Sequence, residues 1–149
     1  MDRLIISVLL VAIAVLIALV LQRRRPAAPS GSTWNVPAQL DRRDFHRPAA
    51  PWLVAVFTSA TCEVCGDVAM KATALTSTEV EVQELEVSAE PEIHRRYGID
   101  AVPLVLIADA EGVVVRHFLG PVTATDLWAA VAEAREPGST PEGCHGHDA

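Results

Sequence analysis

Apolar positions along the chain fall into three kinds of pattern. The first is a continuous block over residues 4–21, interrupted only by Ser7 and followed at once by Arg23, Arg24 and Arg25. Residues 26–37 (PAAPSGSTWNVP) then read as a linker, because Pro, Ser and Gly supply extended chain without a core face. Beyond it, helical and strand periods alternate. Leu40 and Phe45 bracket a short polar stretch that suits a first helix, and Pro48 and Pro51 break the chain. Residues 52–57 are all apolar, as a strand buried on both faces would be. A helix is predicted from near Cys62, since Val64, Val68, Ala72 and Leu75 recur at its spacing. Residues 80–87 alternate like a strand, with one phase break between Val82 and Leu85. Pro91 opens a further helix that runs through Ile93 and Tyr97 and closes at Gly98. Residues 102–108 form another apolar strand run, 109–112 a hairpin turn and 113–119 the returning strand. Gly120 and Pro121 end it, Thr123 caps, and Leu127, Ala130, Val131 and Ala134 mark the face of a last helix. This order predicts an α/β fold: one mixed sheet with helices on both faces.

The apolar block holds 18 residues, about 27 Å of helix against roughly 30 Å of bilayer hydrocarbon. Signal-peptide cores are shorter, about 7–15 residues, and end at a small-residue cleavage site rather than on arginines. Residues 1–25 are therefore expected to be an uncleaved, single-pass membrane anchor. A cleaved signal peptide and a buried soluble helix are the alternatives. Arg23, Arg24 and Arg25 outweigh Arg3 and the amino terminus. The positive-inside bias then puts the C-terminal domain on the cytoplasmic side of the cell membrane, with an extracytoplasmic domain as the alternative. The remaining chain is long enough for one core and not for two. From Pro26 onward it carries eight Lys and Arg against 18 Asp and Glu, a formal balance of −10. Such a domain offers no surface for phosphate backbones, which argues against a nucleic-acid partner.

Cys62-Glu63-Val64-Cys65 is the stretch that promises chemistry. It follows a buried strand and sits where a helix should start, so helix-end N–H groups would favour the thiolate, the form that attacks disulfides. Two intervening residues bring the sulfurs close enough to bond, and Cys-x-x-Cys in a strand–helix setting reads as a redox pair. A zinc site would have to recruit the distant Cys144, His145 and His147, and two inert core cysteines are the other alternative. His46, His94 and His117 are scattered and read as solvated, as do Glu81, Glu84 and Glu86 on one strand. Residues 137–149 are expected to form a flexible tail. Its Cys144-His145-Gly146-His147 motif is either idle or an accessory metal or redox site.

Taken together, residues 36–136 resemble the thioredoxin superfamily, most closely its membrane-tethered bacterial members. The likeness rests on the opening helix around residues 40–45, on the apolar strand leading into Cys62-x-x-Cys65, and on Tyr97-Gly98-Ile99-Asp100-Ala101-Val102-Pro103. The hairpin at 109–112 and Gly120 complete it. The resemblance implies a thioredoxin-like domain over residues 38–136, with Cys62 as nucleophile and Cys65 resolving the mixed disulfide. It also implies a cis Pro103, and a Val102 backbone that pairs with an extended substrate. The redox-active Cys62–Cys65 disulfide would then be the sole prosthetic element, with no metal or other cofactor. Partners would be protein disulfides or dithiols and a thiol electron donor. Three positions depart from the family pattern. Thr61 stands where a tryptophan usually precedes the first cysteine, and Glu63-Val64 stands in place of Gly-Pro. Val56 occupies the place of a buried acid that helps move protons for the second cysteine. Glu63 opposes the thiolate that the helix end favours, so a modestly lowered thiol pKa and a reducing couple are expected. The function expected is a membrane-tethered thiol-disulfide oxidoreductase that reduces protein disulfides. The alternatives are a redox-weak binding module of the same fold, or a metal- or haem-assembly accessory.

Overall fold

In a computed structural model, which describes residues 34–139, four strands and three α-helices follow a short 3-10 turn. The helix expected at 40–45 is reduced to that turn, Arg42–Asp44. Asp41 caps it by accepting the Arg43 N–H, and Leu40 and Phe45 on either side are buried. Packing of these two apolar residues, more than helical length, holds the segment in place.

The strands are β1 (Trp52–Thr58), β2 (Val80–Glu86), β3 (Leu104–Ala108) and β4 (Val114–Leu119). They lie in the order β2-β1-β3-β4, with β1 parallel to β2 and antiparallel to β3, and β3 antiparallel to β4. The central position of β1 accounts for its unbroken apolar run, because both its faces are covered. Helix α1 (Cys65–Thr73) connects the parallel strands, α2 (Pro91–Tyr97) follows β2, and α3 (Ala124–Arg135) ends the fold. The mixed sheet flanked by helices matches the architecture read from the sequence.

Two cores sandwich the sheet. On one face Val54, Val56, Val105 and Ile107 meet Val68 and Ala72 of α1 and Leu127 and Val131 of α3. On the other, Leu53, Ala55, Phe57, Leu104 and Leu106 meet Leu40, Phe45 and Tyr97. The phase break in β2 now has a cause. Val80 and Val82 enter the first core, whereas Leu85 enters the second, so the strand changes the face it buries part-way along. Gly112 closes the β3–β4 hairpin at φ +83°, and any Cβ there would lie 2.0 Å from the Leu40 carbonyl oxygen. Glycine is required by that close approach as well as by the turn.

Two expectations fail in this second layer. Glu81 is buried and ion-paired with Arg47 at 3.0 Å, so the row Glu81/Glu84/Glu86 is not one solvated face. Successive strand residues point to opposite sides, and Glu81 shares its side with Leu85 and not with Glu84. His94 is also buried: Nε2 lies 2.8 Å from the Leu85 carbonyl, and its ring packs edge-on against Phe57. A polar tip satisfied by a backbone carbonyl lets the ring serve as core.

The apolar block at 4–21, most of the linker and the motif from Cys144 to His147 lie outside the described residues. Among the described residues, no helix is long and apolar enough to cross a membrane. Val36, near the end of the linker, packs against the second core.

Candidate active site: a disulfide at the end of the central strand

β1 ends at Thr58, and Ser59, Ala60 and Thr61 carry the chain over the sheet edge to Cys62. The loop is tied locally. The Cys62 N–H donates to the Ser59 carbonyl at 3.0 Å, and the Cys65 N–H to the Cys62 carbonyl at 3.3 Å. Within this turn Cys62 and Cys65 are joined by a disulfide, S–S 2.15 Å, with their Cα atoms 5.4 Å apart. The two sulfurs are unequal in environment. Cys65 is 2 % exposed, whereas Cys62 is half-buried and reaches solvent.

Helix α1 begins three residues later than the apolar spacing suggested, at Cys65, with Val64 as its N-cap. Val64 has no side-chain oxygen to cap with, and the Cys65 N–H is spent on the Cys62 carbonyl in a tight turn. Cys62 therefore stands outside the first helical turn. The helix dipole weakens beyond that turn, so its pull toward the thiolate is smaller than at a cap position.

The β1–β3 pairing sets Leu104 opposite Phe57, which brings the entrance of β3 to the same end of the sheet as the disulfide loop. There the Val102–Pro103 peptide is cis. Pro103 is buried, and its carbonyl accepts the Gly120 N–H at 2.8 Å. The Val102 side chain packs against the second core, and its backbone makes no hydrogen bond among the described residues. All four residues singled out from the sequence, Cys62, Cys65, Val102 and Pro103, thus lie at one end of the fold. Val56 is fully buried in the first core, on the face that α1 covers.

Sequence reasoning missed a layer of support on β2. The Thr58 hydroxyl, itself buried, donates to Glu84 Oε1 at 2.9 Å. The Ala60 N–H donates to Glu86 Oε1 at 3.0 Å, while the N–H groups of Ser88 and Ala89 donate to Glu86 Oε2 at 2.8 and 3.0 Å. These backbone bonds, that of Ala60 foremost, hold the Glu86 carboxyl below its ordinary pKa. A pair of glutamates two apart gave no such signal, because the strand register that brings them to the loop is not a local property. No group of three His, Cys, Asp or Glu side chains able to hold a metal assembles among the described residues.

No family model matches the chain, and no curated protein does. Among solved structures the chain is similar to one described as the structure of a malarial protein, at 14% identity and a TM-score of 0.49. That match covers 56% of this chain and 96% of the other. It is also similar to oxidized mitochondrial thioredoxin 3 from Saccharomyces cerevisiae, at 20% identity and a TM-score of 0.48, over 56% of this chain and 79% of that one. At these values nothing about activity transfers from either protein.

Proposed function

We propose that the chain is a thioredoxin-like thiol-disulfide oxidoreductase, tethered to the cell membrane by residues 1–25 and reducing protein disulfides. The observation that carries this reading is the unequal pair: one partly exposed cysteine and one buried cysteine, already bonded, at the exit of the central strand. In the reduced protein the Cys62 thiolate attacks one sulfur of a substrate disulfide. A Cys62–substrate bond forms, the substrate S–S bond breaks, and the leaving thiolate takes a proton. Cys65 then loses its proton to water and attacks Cys62 Sγ, closing the pair and releasing the second substrate thiol. The substrate gains two electrons and the pair loses two, which a separate thiol donor restores.

Burial of Cys65 fits its part, since a resolving sulfur must meet Cys62 and not a competing substrate. The unpaired Val102 backbone beside Pro103 suits an extended substrate added as a strand. The arginine bias of the apolar block favours a domain on the cytoplasmic side, where a reducing couple is in keeping with the compartment. Reduction of insulin by the full chain in detergent, with dithiothreitol as donor, tests the reading. Acceleration that disappears in Cys62→Ser supports it; a wild-type rate equal to that of Cys62→Ser overturns it. Retention in membranes after carbonate washing tests the tether.

A further inference from the structure

We infer that Glu84 and Glu86, at the end of β2, are positioning residues for Cys62: they brace the disulfide loop and bias its sulfur toward the protonated thiol. This rests on the redox reading above and says how that pair is tuned.

The brace is visible bond by bond. Parallel pairing places Glu84 beside Val56 and Glu86 beside Thr58. Both glutamates alternate in phase with Val80 and Val82, which enter the core beneath α1, so they belong to the α1 side of the sheet. Glu84 takes the hydroxyl of Thr58, the last residue of β1, and Glu86 takes the N–H of Ala60, two residues before Cys62. Glu86 is itself held from behind by Ser88 and Ala89. A carboxylate that accepts several N–H groups stays charged at neutral pH, and Glu86 is accordingly shifted down.

The charges around the loop have one dominant sign. Glu63 stands between the cysteines, and Glu84 and Glu86 reach the loop from β2 through Thr58 and Ala60. Asp67 on α1 is matched by Lys71 at 2.5 Å, which spends the cation on that helix. Like charges oppose formation of the Cys62 thiolate, and the helix end that would offset them starts at Cys65. A less favoured thiolate makes a less favoured dithiol, which pushes the couple to the reducing side.

The test measures iodoacetamide reaction at Cys62 against pH, mapped by mass, and the dithiol fraction in glutathione buffers at pH 8, both on the full chain in detergent. Glu86→Gln should raise the acidity constant of the Cys62 thiol about threefold, as expected for the loss of one screened charge beside the loop. The dithiol fraction should rise with it. Glu84→Gln should shift both the same way by less, and it carries the test if Glu86→Gln does not fold. Glu86→Asp, which keeps the charge, should retain the wild-type profile, whereas a merely structural role would make it behave like Glu86→Gln. Glu111→Gln, in the hairpin at the far end of the sheet, should move neither readout. An unchanged profile in folded Glu84→Gln and Glu86→Gln overturns the inference, as does an equal shift in Glu111→Gln. Wild-type protein that is inert toward insulin but shows these shifts would refute the redox reading and leave the electrostatic placement standing.

Discussion

Where β1 begins and β3 finishes, Arg42 lies buried between two carbonyls; where β1 finishes and β3 begins, Cys62 lies half open to solvent. At the first end polar groups from distant parts of the chain are locked together. Arg42 donates to the carbonyls of Asp109 and Ala50 at 2.6 and 2.8 Å, and Leu40 N–H donates to the Gly112 carbonyl at 2.8 Å. The Tyr97 hydroxyl donates to Asp44 at 2.5 Å and accepts the Asp41 N–H at 2.9 Å. At the second end the cysteine turn itself is held by short-range bonds, Cys62 N–H to Ser59 and Cys65 N–H to Cys62, and longer-range bonds from β2 and Gly120 reach only the segments beside it. A locked end needs each partner, since a buried polar group left alone costs about 1–3 kcal/mol. At the loop end the two cysteine N–H groups are satisfied within the turn, and Cys62 stays partly exposed.

Breaking the loop end should have the largest consequence for chemistry and little for the locked end. Cys62→Ser is expected to lower insulin reduction about a hundredfold or more. Cys65→Ser should accumulate mixed disulfides through Cys62, recoverable by non-reducing electrophoresis and mass mapping. The next largest effect is expected at Val56, buried in the core that α1 covers. Val56→Asp should destabilise the fold by about 2–5 kcal/mol in urea titrations, because a carboxyl enters a fully buried apolar cluster. If Cys65 loses its proton to water, as proposed, the same change should quicken turnover near neutral pH relative to wild type.

Arg42→Met sharpens the contrast from the other side. Two carbonyls lose their donor, and a loss of about 2–4 kcal/mol is expected with unchanged alkylation of Cys62. The smallest effects belong to pH. Burial, then the hydrogen bond to Asp44, pushes the Tyr97 hydroxyl up to about 12 from its usual 10.0. Its stabilising share is whole below pH 10 and should fade as pH rises through about 12. The hydrogen bonds from Arg43 bring Asp41 down from 3.8 to about 2. That share is present above pH 3.8 and should be lost as pH falls toward about 2. Urea midpoints across both ranges check this, and Tyr97→Phe should remove the tyrosine's contribution to the alkaline decline.

Much of the architecture was legible because it is written in local period and local chemistry. The all-apolar runs around residues 52–57 and 102–108 read as buried strands, Pro91 and Gly98 bounded a helix, and the hairpin at 109–112 declared its own turn. Cys-x-x-Cys after a strand brings the sulfurs together by spacing alone. Where local reading failed, a distant partner had intervened. His94 looks solvated until Leu85 and Phe57 enclose it, and Glu81 looks exposed until Arg47 arrives from the other side of β1 in the chain. Helix α1 starts late because a turn bond between the cysteines competes with the first helical one.

The amino-acid sequence by itself determined the order of elements, the pair of cysteines and the apolar faces, since each depends on residues a few positions apart. Tertiary structure alone decided the strand order β2-β1-β3-β4, and through it the placing of Pro103 at the same end of the sheet as the disulfide loop and the bonds of Glu84 and Glu86 to the segment leading into it. Those neighbours stand 19 to 41 residues from the cysteines along the chain, and register between strands is set by which faces pack together, a property of the whole core.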